Sequence, residues 1–466
     1  LILPESRAFA KFSKLFLFAY FLFLKYTKIS VKTNNLALKR SNKIPAITAE
    51  RFLINGGKPL RGTVQARGAK NAAFPLLAAS LLTREPCRIS NLPLIEDIFK
   101  MLKILECMGA QIKWLDEREV EIKCADIDPC LIPYDMVSYF RGSILFLGPL
   151  LARFGKLKFP PPGGCLIGAR PIDTHLDAFA QAGVKISARN NFYHFEGRLK
   201  PAEIILNEFS VTATENVLLG SSLARGTTML KIADQDYGIQ ELAKVLNKMG
   251  VKIAGLGTHT IEISGQKKLK GFRHSLMPDP LEAGTFMVAA LATGGRILIK
   301  NAQPCFLELF LKRLRDFGAR FEILNKKEIK VLPSVRLRMD KVQSLPYPGI
   351  PTDLQPELGV LATQAKGPTL IHDPLYEGRL KYLEELNKMG ASIIFCDPHR
   401  AIINGPTPLF GTEIPSLDIR SGAALIIAGL AARGQTIINN VYQIDRGYEK
   451  IEERLRNLDA DIKRIK

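Results

Sequence analysis

The sequence predicts an α/β fold of six repeated units, grouped as two pseudo-symmetric domains of three units each, with helices wrapped by sheet. Three observations carry this. One order of elements recurs six times: a helix of small and apolar residues, a Gly or Pro turn, a β-branched strand, a second helix and a hairpin. The strand segments read EPCRISNL (85–92), GKLKF (155–159), GTTMLKI (226–232), GGRILIKNA (294–302), GPTLIHD (367–373) and GQTIINNV (434–441). The second helices end at MGA (108–110), AGV (182–184), MGV (249–251), FGA (317–319), MGA (389–391) and LDA (458–460). A spacing of roughly 70 residues is too regular for accident and too long for a solenoid repeat. Gly at five of the six ends reads as a left-handed helix cap, with Asp459 the exception.

Taken in order, residues 1–45 stand apart from the rest of the chain. They hold nine Lys/Arg against the single acid Glu5, and Leu15–Leu24 (LFLFAYFLFL) is an apolar run between Lys14 and Lys25. The run is too short to span a bilayer and lacks a small-residue cleavage site after it. It is either a targeting or anchor segment or an over-extended start, and is set aside from the fold. Phe52–Gln65 precedes the first unit, so this strand segment is expected to join the C-terminal domain. The crossovers fall near Lys70 and near Met277-Pro278-Asp279-Pro280. The expected division is a 1–45 extension, a lobe of residues 70–278, and a second lobe of residues 46–69 plus 279–466.

Composition narrows the function classes. At 47% hydrophobic and 24% charged residues the chain is globular and long enough for two or three full cores. Seven cysteines form no CxxC pair and six histidines no HExxH, so neither metal nor cofactor is expected, and a reducing, cytoplasmic setting fits. Of the net charge of +20, +8 lies in residues 1–45 and +12 is spread without blocks beyond them, and no nucleic-acid motif accompanies it. Small anionic substrates account for the excess; nucleic acid and stable membrane association are not expected. No P-loop is present, so a nucleotide-hydrolysing reading has no support.

The chemistry concentrates in Pro160–Asp173, PPPGGCLIGARPID. Prolines stiffen the approach, Gly163-Gly164 give a bend, and Cys165 stands on it with Arg170 five residues on. Pro171 suits the first turn of a helix over Thr174–Gly183. A thiol near an arginine and a helix N-terminus is accessible to an anion, although a small buried cysteine is the commoner case. The repeat singles out further charges. Arg170, Arg379 and Arg446 stand at or just before second-helix starts, while Lys70 with Asn71, Asp353, and Asp418 with Arg420 open first helices. Helix N-termini attract anions, and an arginine adds a bidentate partner. Arg141 differs: it falls inside an apolar helix expected over Tyr134–Gly148, where an unpaired charge is costly, so it is expected to face a cleft.

The loop PGGCxIGARPxD resembles the catalytic loop of the bacterial UDP-N-acetylglucosamine 1-carboxyvinyltransferases, enolpyruvyl transferases that open peptidoglycan synthesis. Gly68–Ala73 (GAKNAA), Pro351–Gln355 (PTDLQ) and Asp445–Glu449 (DRGYE) match in order, and the resemblance covers about residues 50 to 466. It implies an inside-out α/β barrel in each lobe, closing over a cleft, in a monomer or weak oligomer. It implies transfer of the enolpyruvyl group of phosphoenolpyruvate to the 3′-hydroxyl of UDP-N-acetylglucosamine, with release of phosphate. Cys165 resembles the residue that protonates the methylene carbon and can form a thioether adduct. Asp353 resembles the carboxylate that orients and helps deprotonate the sugar hydroxyl. Lys70, Arg170 and Arg446 are similar to the phosphoenolpyruvate clamp, with Arg420 directed at its carboxylate and Arg379 nearby. Asn71, Arg141, Pro171, Ile172, Asp173, Thr174, Ser210, Val211 and Leu375 correspond to the nucleotide-sugar pocket.

Departures from the family pattern are also legible. Glu208 stands where a lysine is usual and is expected to weaken the nucleotide-sugar contact. Tyr376–Leu380 reads YEGRL in place of FENRF, Gln235–Gly238 reads QDYG in place of REPE, and Thr212 replaces a Gly. Rival readings are an inactive or altered-specificity paralogue, the shikimate-pathway enolpyruvyl transferase, which would not carry the PGGC loop, and a basic membrane-attached scaffold.

Overall fold

The first helix of each unit explains why the sheets lie outside. Lys70–Ala79, Val211–Ser221, Pro280–Ala292, Gln355–Gln364 and Ile419–Ala431 are buried on almost every residue. A helix that is apolar all round is stable only inside a core. The second helices, such as Glu96–Cys107 and Glu308–Asp316, bury one face and leave the other to water. Pro280–Ala292, Gln355–Gln364 and Ile419–Ala431 pack on one another. Likewise Leu147–Phe154 packs on Val211–Ser221, and Lys70–Ala79 on Tyr237–Met249. The computed structural model, which describes residues 50–139, 141–163, 167–168, 170–334 and 336–466, arranges six small sheets around these helices.

Each expected strand segment is a strand in its own sheet: Cys87–Ser90, Lys156–Phe159, Gly226–Lys231, Arg296–Lys300, Gly367–His372 and Gln435–Asn439. Three sheets use only strands from residues 87–275; three use strands from 51–65 and 296–465. The segment Phe52–Gln65 is two strands rather than one. Arg61–Gln65 runs parallel to Arg296–Lys300, and Arg51–Asn55 lies antiparallel between Gln435–Asn439 and Asp461–Ile465. In the sixth unit Arg51–Asn55 therefore takes the place that the second hairpin strand holds elsewhere. The crossovers run side by side, with Ala69 N–H donating to Met277 O at 2.8 Å and Asp279 N–H to Arg67 O at 2.7 Å.

All six second-helix ends close in the same way. Gly109, Gly183, Gly250, Gly318 and Gly390 have φ between 83° and 110°, and Asp459 reaches 66°. At each, the next N–H reaches back five residues, as from Ala110 to Leu105 O at 3.0 Å and from Ala460 to Leu455 O at 3.1 Å. Asp459, the compositional exception, thus adopts the same backbone, which Asp tolerates better than most residues. Two expectations need correction. The helix over Tyr134–Gly148 is divided into Tyr134–Tyr139, a 3-10 segment Arg141–Phe146, and Leu147–Phe154. Ser143 Oγ donates to Val137 O at 3.0 Å, engaging the carbonyl that a continuous helix would pair with residue 141. The helix expected over Thr174–Gly183 is Asp173–Gln181, so Pro171 lies ahead of its first turn.

Candidate active site

Helix starts from both halves of the chain converge on a cavity of about 450 Å³. Lys70 and Asn71 begin one buried helix, Asp353 lies in the 3-10 turn before another, and Arg420 follows the Asp418 cap of a third. Asp353 joins two arginines: Oδ1 accepts from Arg379 Nη2 at 3.1 Å and Oδ2 from Arg420 Nε at 3.0 Å. Burial pushes the Asp353 carboxyl up, but Arg420, Arg379 and Lys70 together outweigh it and hold it well below the ordinary range. Asp353 is therefore a fixed carboxylate at neutral pH. Behind it, burial pushes Glu357 up to about 8 against the pull of Arg420. Its Oε1 accepts from Thr285 at 3.1 Å.

A second carboxylate organises the other cations. Asp97, in the first turn of Glu96–Cys107, accepts from Arg446 Nε at 3.0 Å and lies 3.9 Å from Lys70 Nζ. Burial lowers the Lys70 ammonium, Asp97 opposing this and Arg420 adding to it. Arg446 follows the short helix Tyr442–Asp445 and precedes Ile451–Arg456, so it is less close to a second-helix start than Arg170 and Arg379.

The cavity is also lined by Arg141, Arg170, Pro171, Thr174, Ser210, Val211 and Leu375. Arg141 is held by the carbonyls of Arg170 and Pro171, the latter at 2.9 Å. It faces the cleft as expected, although from a 3-10 segment. Burial, then Arg170, lowers its guanidinium to about 10. Ser210 caps Val211–Ser221, turning that helix N-terminus toward the cavity. Glu208 accepts from Thr174 Oγ1 at 3.1 Å, and Thr212 bonds His175 Nε2 at 3.1 Å, so two departures from the family pattern have local partners. Burial and Arg141 push His175 down to about 3, leaving it neutral.

The turn before Arg379 seats the loop after residue 160. Gly378 N–H donates to Ile167 O at 2.9 Å, and a Cβ on Gly378 would stand 2.6 Å from the Ile167 carbonyl carbon. The Asn-to-Gly departure at this position thus coincides with a close backbone approach. Cys165 lies outside the described residues, as does the 1–45 segment with its apolar run. Ile172 is buried beside the cavity without lining it, and Asp173 is exposed at its helix start.

Sequence reasoning missed Asp97, Glu215, Asp234, Asp236 and Tyr237, all of which line the cavity. Burial raises Glu215 well above the carboxylate range and pushes Asp236 up to about 7. Asp97 left a usable signal. It shares the apolar face of an amphipathic helix with Met101 and Leu105, and a carboxylate there needs a cation.

Known proteins resemble this chain over most of its length. Residues 54–455 match the family model of EPSP synthase (3-phosphoshikimate 1-carboxyvinyltransferase). The chain is 41% identical over 419 residues to UDP-N-acetylglucosamine 1-carboxyvinyltransferase of Treponema denticola, covering 88% of this chain and 98% of that relative. It is 42% identical over 419 residues to the protein of that name from Coxiella burnetii, covering 89% of this chain and 96% of that one. Among solved structures, the enolpyruvyl transferase NikO from Streptomyces tendae superimposes with a TM-score of 0.81 at 25% identity, covering 89% of this chain and 99% of NikO. The six-unit architecture is accordingly the inside-out α/β barrel of the enolpyruvyl transferases, and the chain belongs to the UDP-N-acetylglucosamine 1-carboxyvinyltransferase family.

Proposed function

We propose that this cavity transfers the enolpyruvyl group of phosphoenolpyruvate to the 3′-hydroxyl of UDP-N-acetylglucosamine. The observation that carries the reading is the fixed Asp353 carboxylate beside Lys70, Arg379 and Arg420, with Arg141, Arg170 and a helix N-terminus lining the same cavity. A carboxylate held ionised can orient a sugar hydroxyl and accept its proton as the oxygen attacks. The hydroxyl oxygen bonds to C2 of phosphoenolpyruvate while the methylene carbon gains a proton, which we assign to Cys165. Loss of a proton from the resulting methyl group, with departure of phosphate, restores the enol ether. The intervening ketal is crowded and anionic, so preorganised cations stabilise it more than they would in water.

Lys70, Arg170 and Arg446 are assigned to the phosphate, Arg420 to the carboxylate, and Asn71, Arg141, Ser210 and Val211 to the nucleotide sugar. Residues 70–278 and residues 46–69 plus 279–466 act as two lobes that close on ligand, which excludes water from the ketal. The test is incubation of the purified protein with both substrates, phosphate and enolpyruvyl product being followed together. Equal yields are expected. Phosphate without product, or transfer to shikimate 3-phosphate in place of the nucleotide sugar, would overturn the assignment.

A further inference from the structure

Tyr237 begins the helix Tyr237–Met249, lines the cavity and is 3% exposed. Its hydroxyl has no hydrogen-bond partner among the described residues. Buried phenols normally find one, because an unmade hydrogen bond in an apolar site is costly. Arg420 carries a second donor of this kind. Its Nε donates to Asp353 Oδ2 and its Nη1 to Tyr448 Oη, both at 3.0 Å, while Nη2 has no partner among the described residues.

The two donors line the same cavity. Burial, followed by the Asp279 and Asp236 carboxylates, holds the Tyr237 phenol well above its ordinary range, and the charges of Arg420 and Asp353 also act on it. The phenol therefore stays protonated and can only gain from an acceptor. Its ring is braced by Phe306 at 5.8 Å, which in turn meets Tyr347 at 6.2 Å.

We propose that Tyr237 Oη and Arg420 Nη2 together bind a carboxylate, that of the enolpyruvyl donor. Two donors, one of them cationic, match the two oxygens of a carboxylate. The acids around them, Asp236, Asp279 and Asp353, repel a dianionic phosphate more strongly than a singly charged carboxylate. Lys70 and Arg446 gather instead on Asp97. Tyr237 sits in the Gln235–Gly238 stretch, where this chain departs from the family pattern.

The inference rests on the reaction proposed above, and one assay separates the two. Tyr237→Phe removes the hydroxyl and keeps the ring. It should raise KM for phosphoenolpyruvate by about tenfold while leaving kcat and KM for the nucleotide sugar unchanged. Inorganic phosphate has no carboxylate, so its inhibition constant against phosphoenolpyruvate should not move. The melting temperature of the free protein should not fall, since the hydroxyl lost there had no partner. An unchanged phosphoenolpyruvate KM would overturn the inference. So would a rise in the nucleotide-sugar KM instead, which would place the hydroxyl against the sugar, or an equal weakening of inorganic phosphate. Absence of turnover in wild type would overturn both readings.

Discussion

Gly378→Ala is the most direct test of how the loop at Ile167 and Gly168 is seated. Gly378 has φ −95° and ψ 2°, which alanine adopts without strain, so any effect comes from the added methyl group alone. That methyl would meet the Ile167 carbonyl carbon at 2.6 Å, its oxygen at 2.8 Å and Gly168 N at 2.9 Å. Keeping the contact means overpacking against backbone, about 1–3 kcal/mol. Releasing the loop gives up the hydrogen bond from Gly378 N–H to Ile167 O, about 1 kcal/mol. The chain takes the cheaper route, and the seated population falls about fivefold. Limited proteolysis between residues 160 and 170 should accelerate and kcat should fall by a similar factor. The melting temperature should hold, because Ile167, though buried, lies outside the main hydrophobic cluster. Unchanged cleavage and unchanged kcat would show that this contact does not seat the loop.

Other expectations concern separate parts of the molecule. Cys165→Ala should abolish turnover without unfolding the protein, whereas Cys165→Asp should keep activity and escape an alkylating epoxide-phosphonate such as fosfomycin; mass spectrometry that finds no label on wild-type Cys165 would contradict this. Glu357 has its folded-state pKa raised to about 8 from 4.5, so its stabilising contribution is complete below the lower value and lost as pH rises through the upper one. Glu357→Gln should therefore gain in melting temperature relative to wild type between pH 5 and pH 9, and a constant difference would refute it. Glu208→Lys should lower KM for the nucleotide sugar a few-fold, on the order of 1 kcal/mol, with the effect shrinking as salt rises. Small-angle scattering should find a more compact particle with nucleotide sugar bound; unchanged dimensions at saturation would count against lobe closure.

The repeat was legible because its markers are backbone requirements. A left-handed helix end needs glycine or a tolerant residue, and a buried strand needs β-branched side chains, so both leave composition behind them. Asp459 broke the composition without breaking the geometry. The charges at helix starts were legible for the same reason: Lys70, Asp353 and Arg420 stand at first-helix starts, and Arg379 just before a second helix. The interruption at Arg141 was not, since it depends on Ser143 reaching a carbonyl six residues back. The Tyr237 hydroxyl and the acids around it escaped notice as well. Their meaning lies in which partners they lack in space, and that is settled by elements far apart in the chain.

The strand order has a consequence for how the chain is made. Strands within residues 87–275 find all their partners in that same stretch, so those three sheets can form as soon as it leaves the ribosome. Arg61–Gln65 must wait for Arg296–Lys300, and Arg51–Asn55 waits for Gln435–Asn439 and Asp461–Ile465. The first two described strands are thus the ones that wait longest for a partner. Until then Phe52, Ile54 and Val64, all buried in the finished fold, are open to other chains or to chaperones. A truncation that removes Asp461–Ile465 would expose one edge of Arg51–Asn55, at the opposite end of the sequence, and favour association between chains.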